Sequence, residues 1–317
     1  MSSKPLVSIV IPTYNRATLI ERAINSVLAQ SLQDFEIIVV DDASQDNTEA
    51  VIKSLTDSRL KYFKHQTNLN GSTARNTGIK AARGTYLALL DSDDEWLPNH
   101  LAIKITYLQN NNCQGVFGSY YIYYSEELIR EIKCQPRGSD CSLAESILSG
   151  KSDTRTSTFV FETAAIREIM FDETLGKHQD WDLAIRFARV YHFGCETTST
   201  VIAHYDRKQS ISSSMNHEAS QLFLKRYRSE LGDRTLARFY LLVLALRTLN
   251  SEGRNKRYRE YLKLANSCDK KGTYLKLANW CLAYPFIDLL FVKLHQLRQN
   301  LLTRRLRFQG EITTLKP

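Results

Sequence analysis

Proline and glycine are scarce in this chain, with 6 and 13 among 317 residues. That scarcity excludes collagen-like repeats and low-complexity linkers. The six cysteines, Cys113, Cys134, Cys141, Cys195, Cys268 and Cys281, form no CxxC pair, and none has a histidine at zinc-finger spacing. A structural zinc site is therefore not expected, and the cysteines read as reduced, mostly buried thiols. No window reaches the roughly 18 uninterrupted apolar residues that a membrane span needs. The nearest, Trp280 to Val292, is broken by Pro285 and Asp288. The N-terminal MSSKPLVSIVIPTYN has one lysine, a short apolar run and no small-residue cleavage site. It reads as a first strand rather than a secretion signal, so the expected location is the cytosol.

What is present is an ordinary globular composition, 43% hydrophobic and 24% charged, in a chain long enough to bury a large core. The length suits one large domain with an appendage. Charge is divided unevenly. From Gln221 to Pro317 there are 20 Lys and Arg against 7 Asp and Glu, leaving 22 against 27 in the rest. An acidic body with a basic tail implies two different jobs. The division predicts a main domain over 1–220 and a helical basic extension over 221–317.

The first 125 residues alternate two periodicities. LVSIVIP (6–12), FEIIVVDD (35–42) and TYLALLD (85–91) are near-continuous apolar runs, as strands buried on both faces must be. LKYF (60–63) is a shorter strand. Between them, Arg16 to Gln30, Ser44 to about Leu55, Ser72 to Ala82 and Pro98 to about Asn110 carry helical spacing or helix-start signals. This order predicts an α/β fold, with a mostly parallel sheet and helices on both faces. From Gly115 the pattern turns more strand-like: GVFGSYYIYYS and LIREIKC read as a hairpin. TSTFVFETAAIREI reads as a strand entering a helix, and WDLAIRFARV (181–190) as an amphipathic helix.

Ligands of open parallel sheets lie beyond the carboxyl ends of the strands. Three strands here end in polar residues: Thr13-Tyr14-Asn15, Asp41-Asp42, and Asp91-Ser92-Asp93-Asp94. Acidic clusters of this kind hold a hard divalent cation, which in turn holds a diphosphate.

In order and spacing, IVIPTYNR, VVDDAS, ARNTGIKAARG, LLDSDD and HQDWDL resemble the motifs of glycosyltransferase family 2, over about residues 6 to 205. The resemblance implies a GT-A type sheet, mixed but mostly parallel, and an inverting transfer of a sugar from a nucleoside-diphosphate donor. Carried over residue by residue, it places Thr13 and Tyr14, with Asn15 in the same turn, around the nucleotide base. Asp41 accepts a hydrogen bond from a uracil, which points to a UDP-sugar. Arg75 lines the nucleotide site. Asp91 lies near the ribose, Asp93 binds Mn²⁺ or Mg²⁺ on the diphosphate, and Asp180 is the general base. One position departs: Gln179 stands where the family has glutamate, which keeps the hydrogen-bonding shape and loses a charge. Arg207, after the last strand, could reach the diphosphate from a loop.

Blander roles stand beside these. Asp41 could be a strand-end cap and Asp180 the cap of the 181–190 helix, while Asp42, Asp94 and Asp182 read as structural. Trp181 could line the acceptor site or pack in the core. His178 and His204 are candidate extra metal or acceptor contacts. The basic tail has two readings: a helical subdomain packed on the catalytic domain with a solvated face, or an interfacial segment on anionic lipid at the inner face of a membrane. The second suits a lipid-linked saccharide acceptor. No nucleic-acid motif accompanies the charge.

Two competing functions follow. A sugar nucleotidyltransferase needs a Gly-rich basic loop after its first strand, where this chain has PTYNR. A catalytically inactive, glycosyltransferase-like binding module has only Gln179 in its favour, against the retained Asp91, Asp93 and Asp180. The expected role is polysaccharide, lipopolysaccharide or glycolipid assembly.

Overall fold

The computed structural model describes residues 4–125, 128–135, 141–205 and 216–268. The long apolar runs become the centre of a seven-stranded sheet. Its strands are β1 (Val7–Thr13), β2 (Phe35–Asp41), β3 (Leu60–Lys64), β4 (Tyr86–Leu89), β6 (Gly115–Gly118), β9 (Val160–Glu162) and β10 (Phe193–Glu196), in the order β10-β6-β9-β4-β1-β2-β3. The pairs β1·β2, β1·β4, β2·β3 and β6·β10 are parallel. Only β9 runs against its neighbours β4 and β6. The expected mixed, mostly parallel sheet is therefore observed.

A four-stranded sheet, absent from the sequence reading as a separate layer, orders β5 (Glu95–Trp96), β7 (Tyr120–Ser125), β8 (Leu128–Ile132) and β11 (Val201–His204) as β5-β11-β7-β8. Here the expected hairpin is divided. Tyr120–Ser125 does pair antiparallel with Leu128–Ile132, but Gly115–Gly118 belongs to the large sheet.

β1 and β2 are buried along their whole lengths, and alternate side chains enter different cores. Val7, Ile9 and Ile11 pack with Ile37 and Val39 in one, which also takes Ile20, Ala23, Ile24 and Val27 of α1 (Ile20–Leu28), Leu101, Ile105 and Leu108 of α4 (His100–Asn111), and Trp96, Tyr120 and Val201 of the small sheet. Val10, Ile38 and Val40 face the other core, with Ala74 and Ile79 of α3 (Gly71–Ala81). α2 (Thr48–Ser54) adds Ile52 to the first core. At Gly78 the α3 backbone lies so close to the sheet that a Cβ would meet Val10 Cγ1 at 2.3 Å, so only glycine allows that approach.

The second core extends well past the catalytic motifs. It joins α5 (Leu143–Leu148), α6 (Thr163–Ile169) and α7 (Gln179–Val190) to α8 (His217–Tyr227), α9 (Asp233–Arg238), a π-helical segment (Phe239–Ala245) and α11 (Lys256–Cys268), through Leu183, Phe187, Phe223, Tyr227, Phe239, Leu244 and Tyr261 among others. α10 (Leu246–Glu252) connects the last two. Residue 220 thus falls inside α8, and residues on both sides of it share one core. Asp182, fully buried, ties the same layers together. It accepts from Arg186 Nε at 2.7 Å, Arg226 NH1 at 2.6 Å and the Tyr227 hydroxyl at 2.6 Å.

Cys134, after β8, and Cys195, in β10, pair as a disulfide with Cα atoms 6.7 Å apart. The expectation of reduced thiols fails for these two because the two sheets bring together positions 61 residues apart in sequence. Cys113, Cys141 and Cys268 are free. Among the described residues no helix is long and apolar enough to cross a membrane. The apolar-basic stretch at 286–308 and the Ser-rich 210–214 lie outside the described residues.

Asp182→Ala would remove the acceptor shared by Arg186, Arg226 and the buried Tyr227 hydroxyl, leaving Arg226 only Asp172, Arg186 only the Ile169 and Met170 carbonyls, and Tyr227 unsatisfied. The expected loss is about 3 kcal/mol of folding stability by urea denaturation.

Candidate active site

Three carboxylates, Asp91, Asp93 and Asp94, follow β4 at the carboxyl edge of the sheet, and two arginines pair with two of them. β4 ends at Leu89, and the chain turns through Asp91-Ser92-Asp93-Asp94, with the Asp94 amide donating to the Asp91 carbonyl at 3.1 Å. Asp91 Oδ1 takes the Arg75 NH2 group of α3 at 2.6 Å. Asp94 has no exposed surface; it takes Arg155 Nε at 3.1 Å and NH2 at 3.3 Å, and the Ser157 hydroxyl at 2.6 Å. Asp93 has neither kind of partner: its carboxylate accepts no hydrogen bond among the described residues, and only its backbone carbonyl is held, by Arg22 NH2 at 2.6 Å. Burial, then the charges of Asp94 and Asp91, push the Asp93 carboxyl up to about 6.

That residual negative potential is what a divalent cation relieves. Among the described residues no group of three or more His, Cys, Asp or Glu is gathered to hold a metal by itself. A hard cation here would take Asp93 from the protein and its remaining oxygens from diphosphate and water, the usual coordination of Mg²⁺. The residues present fit Mn²⁺ or Mg²⁺ on those terms.

Asp180 sits in the first turn of α7, half-buried, and accepts from the Trp181 amide at 2.9 Å. Burial raises its carboxyl to about 6; the Trp181 amide opposes this, Asp153 and Asp91 add to it, and Arg155 offsets it. The helix cap is His178 rather than Asp180, in the left-handed region at φ 62°. His178 does not face the pocket as a ligand. It is buried, stacks on Trp181 with ring centroids 4.8 Å apart, and contacts Ser220 Oγ at 2.9 Å. Burial holds its imidazole down at about 3. Trp181 is partly buried against the core, and His204 Nε2 lies 2.6 Å from Glu95.

Gln179 makes use of both ends of its amide. Its Oε1 accepts from Arg75 NH1 at 3.2 Å, and its Nε2 donates to the Leu175 carbonyl at 2.9 Å. A glutamate could accept from Arg75 but could not donate to Leu175. With a neutral residue at 179, Asp91 is the only carboxylate among the described residues bonded to Arg75.

At the other end of the pocket, Thr13 and Asp41 are register partners on β1 and β2. Thr13 is buried, and its Oγ1 finds no partner among the described residues. Tyr14 is 43% exposed, a free aromatic face at the strand end. Asn15, at φ 51°, joins the two strand-end turns: its amide donates to Ser44 Oγ at 2.9 Å and its Oδ1 accepts from Gln45 N at 2.8 Å. Asp41 is buried, with Oδ1 accepting from Ser44 N at 2.8 Å and Oδ2 from the Tyr62 hydroxyl at 2.7 Å. One lone pair on each oxygen remains. Asp42 caps the loop into α3 by accepting from Leu69 N at 2.9 Å and Asn70 N at 2.8 Å. Arg207 lies outside the described residues.

Sequence reasoning missed three residues here. Tyr120 opens a strand read only as part of a hairpin, Asp153 and Arg155 enter from a stretch with no readable period, and Tyr120 donates to Asp153 Oδ2 at 2.8 Å. Burial raises the Asp153 carboxyl, so it shares the electrostatics of Asp180.

Residues 8–175 match the sequence pattern of Glycosyl transferase family 2. The chain belongs to that family. Similar chains include the amylovoran biosynthesis glycosyltransferase AmsB of Erwinia amylovora, 34% identical over 56% of this chain and 62% of that protein. A second, of Escherichia coli, is the UDP-Glc:alpha-D-GlcNAc-diphosphoundecaprenol beta-1,3-glucosyltransferase WfgD, 38% identical over 39% of this chain and 49% of that protein. The chain thus spans about half to three-fifths of the length of these relatives. Its fold is similar to that of S. aureus TarS 1–349, solved with UDP-GlcNAc, at a TM-score of 0.64 and 18% identity over 93% of this chain and 92% of that one. It is also similar to a Pyrobaculum calidifontis mannosyltransferase solved with GDP-Man and Mn²⁺, at 0.52 and 17% over 93% and 81%. The family 2 chain therefore has the GT-A fold.

Arg155→Met would leave Asp94 an unpaired carboxylate in a family 2 acidic turn. Urea denaturation is expected to register a loss of roughly 3 kcal/mol, partly recovered by Arg155→Lys, which restores charge without the two-pronged contact.

Proposed function

We propose that this chain is an inverting glycosyltransferase. It moves a hexosyl or N-acetylhexosaminyl group from a nucleoside-diphosphate sugar, UDP-linked, to a hydroxyl of a saccharide or lipid-linked saccharide in polysaccharide, lipopolysaccharide or glycolipid assembly. The observation that carries this reading is the pairing of one half-buried carboxylate, Asp180, whose affinity for a proton is raised toward neutrality, with an acidic turn in which only Asp93 lacks a partner. The named activities of AmsB and WfgD support the same class and setting.

The roles follow from the chemistry. Tyr14 offers its open face to the base, and Thr13 Oγ1 and the remaining lone pairs of Asp41 offer polar contacts to its edge. Arg75 holds Asp91 beside the ribose. Asp93 would hold Mn²⁺ or Mg²⁺, which when bound supplies positive charge to the departing diphosphate. Asp180 takes the proton of the acceptor hydroxyl as its oxygen bonds to the anomeric carbon and the bond to the diphosphate oxygen breaks. A base whose pKa lies close to the working pH is efficient in both protonation states of this cycle. One base and one displacement invert the anomeric centre. The exposed Lys256, Arg257, Arg259 and Lys263 of α11 support a peripheral contact with anionic lipid at the inner face of a membrane.

A panel of nucleoside-diphosphate sugars with Mn²⁺ or Mg²⁺ tests the donor site: one nucleotide class should bind only with metal, and Asp93→Ala should abolish that binding. Failure of every nucleotide-sugar to bind would instead favour an inactive binding module. Asp180→Asn should lower turnover by roughly 10²–10⁴-fold with donor affinity unchanged. For the native enzyme, kcat/KM should fall about tenfold per pH unit below about 6, where Asp180 protonates. A flat profile between pH 5 and 7 would remove Asp180 as the base.

A further inference from the structure

The small sheet carries a row of aromatic side chains up to the rim of the pocket, and the mechanism above leaves them unused. β5 begins directly after Asp94, and β11 runs antiparallel to it with Ile202 opposite Glu95. The last residues of β11 therefore continue past Asp94, alongside the acidic turn. β7 lies parallel to β11 on its other side, pairing His204 with Tyr123, and the Tyr205 amide donates to the Tyr123 carbonyl at 2.9 Å. That register sets Tyr205 beside Tyr124, and their rings meet with centroids 5.3 Å apart at an angle of 58°. At about 3.4 Å per residue, Tyr205 stands roughly 10 Å along the strand from the Glu95 row.

Side chains alternate along a strand, so the two faces at this end of the sheet differ. On one face, His204 and Glu95 meet at 2.6 Å, and the His204 ring rests against Tyr123 at 4.9 Å. These contacts fix the strand end to the residue that follows the acidic turn. On the other face, Tyr120, Ile122, Val201 and Ala203 pack in the first core. Tyr124 and Tyr205 belong to this second face by alternation, one step past the last of those side chains. Neither joins a core among the described residues, and Tyr205 is 40% exposed. The same face bounds the pocket at Tyr120, which gives its hydroxyl to Asp153 at 2.8 Å and has Arg155, the partner of Asp94, over its ring at 5.6 Å.

Location and ring geometry together select the ligand. β1 and β2, whose ends offer Thr13 and Asp41 to a nucleotide, lie on one side of β4 in the large sheet; β6, which leads directly into β7, lies on the other. The tyrosine pair is thus across the acidic turn from the nucleotide half of the pocket. Two rings set at 58° make a corner rather than a parallel slot, so a flat base would lie on only one of them. A pyranose chair is thick enough to meet both. Its axial C–H bonds form an apolar face with slight positive charge, which suits the negative face of a phenol, while its equatorial hydroxyls stay in water at the rim.

We propose that Tyr124 and Tyr205 form the stacking subsite for a pyranose ring of the acceptor saccharide. This rests on the glycosyltransferase reading above and adds to it where the acceptor is held and by which chemistry, a sugar ring with an apolar face.

Saturation-transfer NMR on the full chain, with UDP and Mn²⁺ present, tests this. The probes are the methyl β-glycosides of glucose, galactose and N-acetylglucosamine, with sorbitol as a polyol that has hydroxyls and no ring face. At least one pyranoside should receive saturation at its ring C–H protons, and sorbitol should not. Tyr205→Ala should weaken that pyranoside's binding about threefold to tenfold, the scale of one aromatic contact, with an unchanged melting temperature. Tyr205→Phe should keep it, and Tyr124→Leu, which retains bulk without the ring, should weaken it likewise. The proposal is overturned if wild type binds none of the three, if sorbitol binds as they do, or if Tyr205→Ala or Tyr124→Leu binds as wild type does. It is also overturned if Tyr205→Ala weakens UDP instead, which would assign the ring to the donor. If wild type binds no UDP, the nucleotide-sugar reading fails separately, and the same titration without UDP still decides whether the tyrosines hold a sugar.

Discussion

Crowded carboxylates are the constraint around which this pocket is built. Asp91, Asp93 and Asp94 lie within four residues, and Asp180 and Asp153 approach from other elements. Left alone they would repel and take up protons. The protein answers with arginines from different parts of the chain: Arg75 on α3 takes Asp91, and Arg155, from the loop before β9, takes Asp94. The division leaves a carboxylate without a cation at each place where chemistry would need one, Asp93 for a metal and Asp180 for a proton. Site and stability are thus coupled, because each arginine that shapes the pocket also keeps a buried or half-buried acid from destabilising the fold.

The second dependence is mechanical. Asp180 belongs to α7, and α7 is held from behind by Asp182, two residues on, through Arg226 and Tyr227 of α8. Asp180 and Asp182 lie on different faces of one helical turn, so docking of the later helices fixes the orientation of Asp180, the proposed base.

Legibility followed physics. β1, β2 and β4 were readable because burial on both faces requires uninterrupted apolar runs, and the polar residues that close them point to the pocket wherever a parallel sheet is assumed. Local periodicity disclosed β9 as a strand entering a helix, but not its antiparallel insertion between β4 and β6, which depends on the neighbours it meets. The Cys134–Cys195 pair and the small sheet are likewise products of tertiary approach. Asp153 and Arg155 were invisible because they lie in a stretch with neither period, and Tyr120, though in a readable strand, is recruited to the pocket only by its tertiary position. Asp41 shows a subtler gap: its place at a strand end could be read, but the Tyr62 hydroxyl on its second oxygen could not, since that contact crosses from β3.

The core that runs across residue 220 also bears on how such chains can change. Because Phe223, Tyr227 and Phe239 share a hydrophobic cluster with Leu183 and Phe187 of α7, the basic helices are not an interchangeable module. Grafting them from one relative to another would require their α7 partner surface to travel with them. Change in the later helices of this architecture therefore has to arise by point substitution on a fixed helical frame rather than by domain exchange.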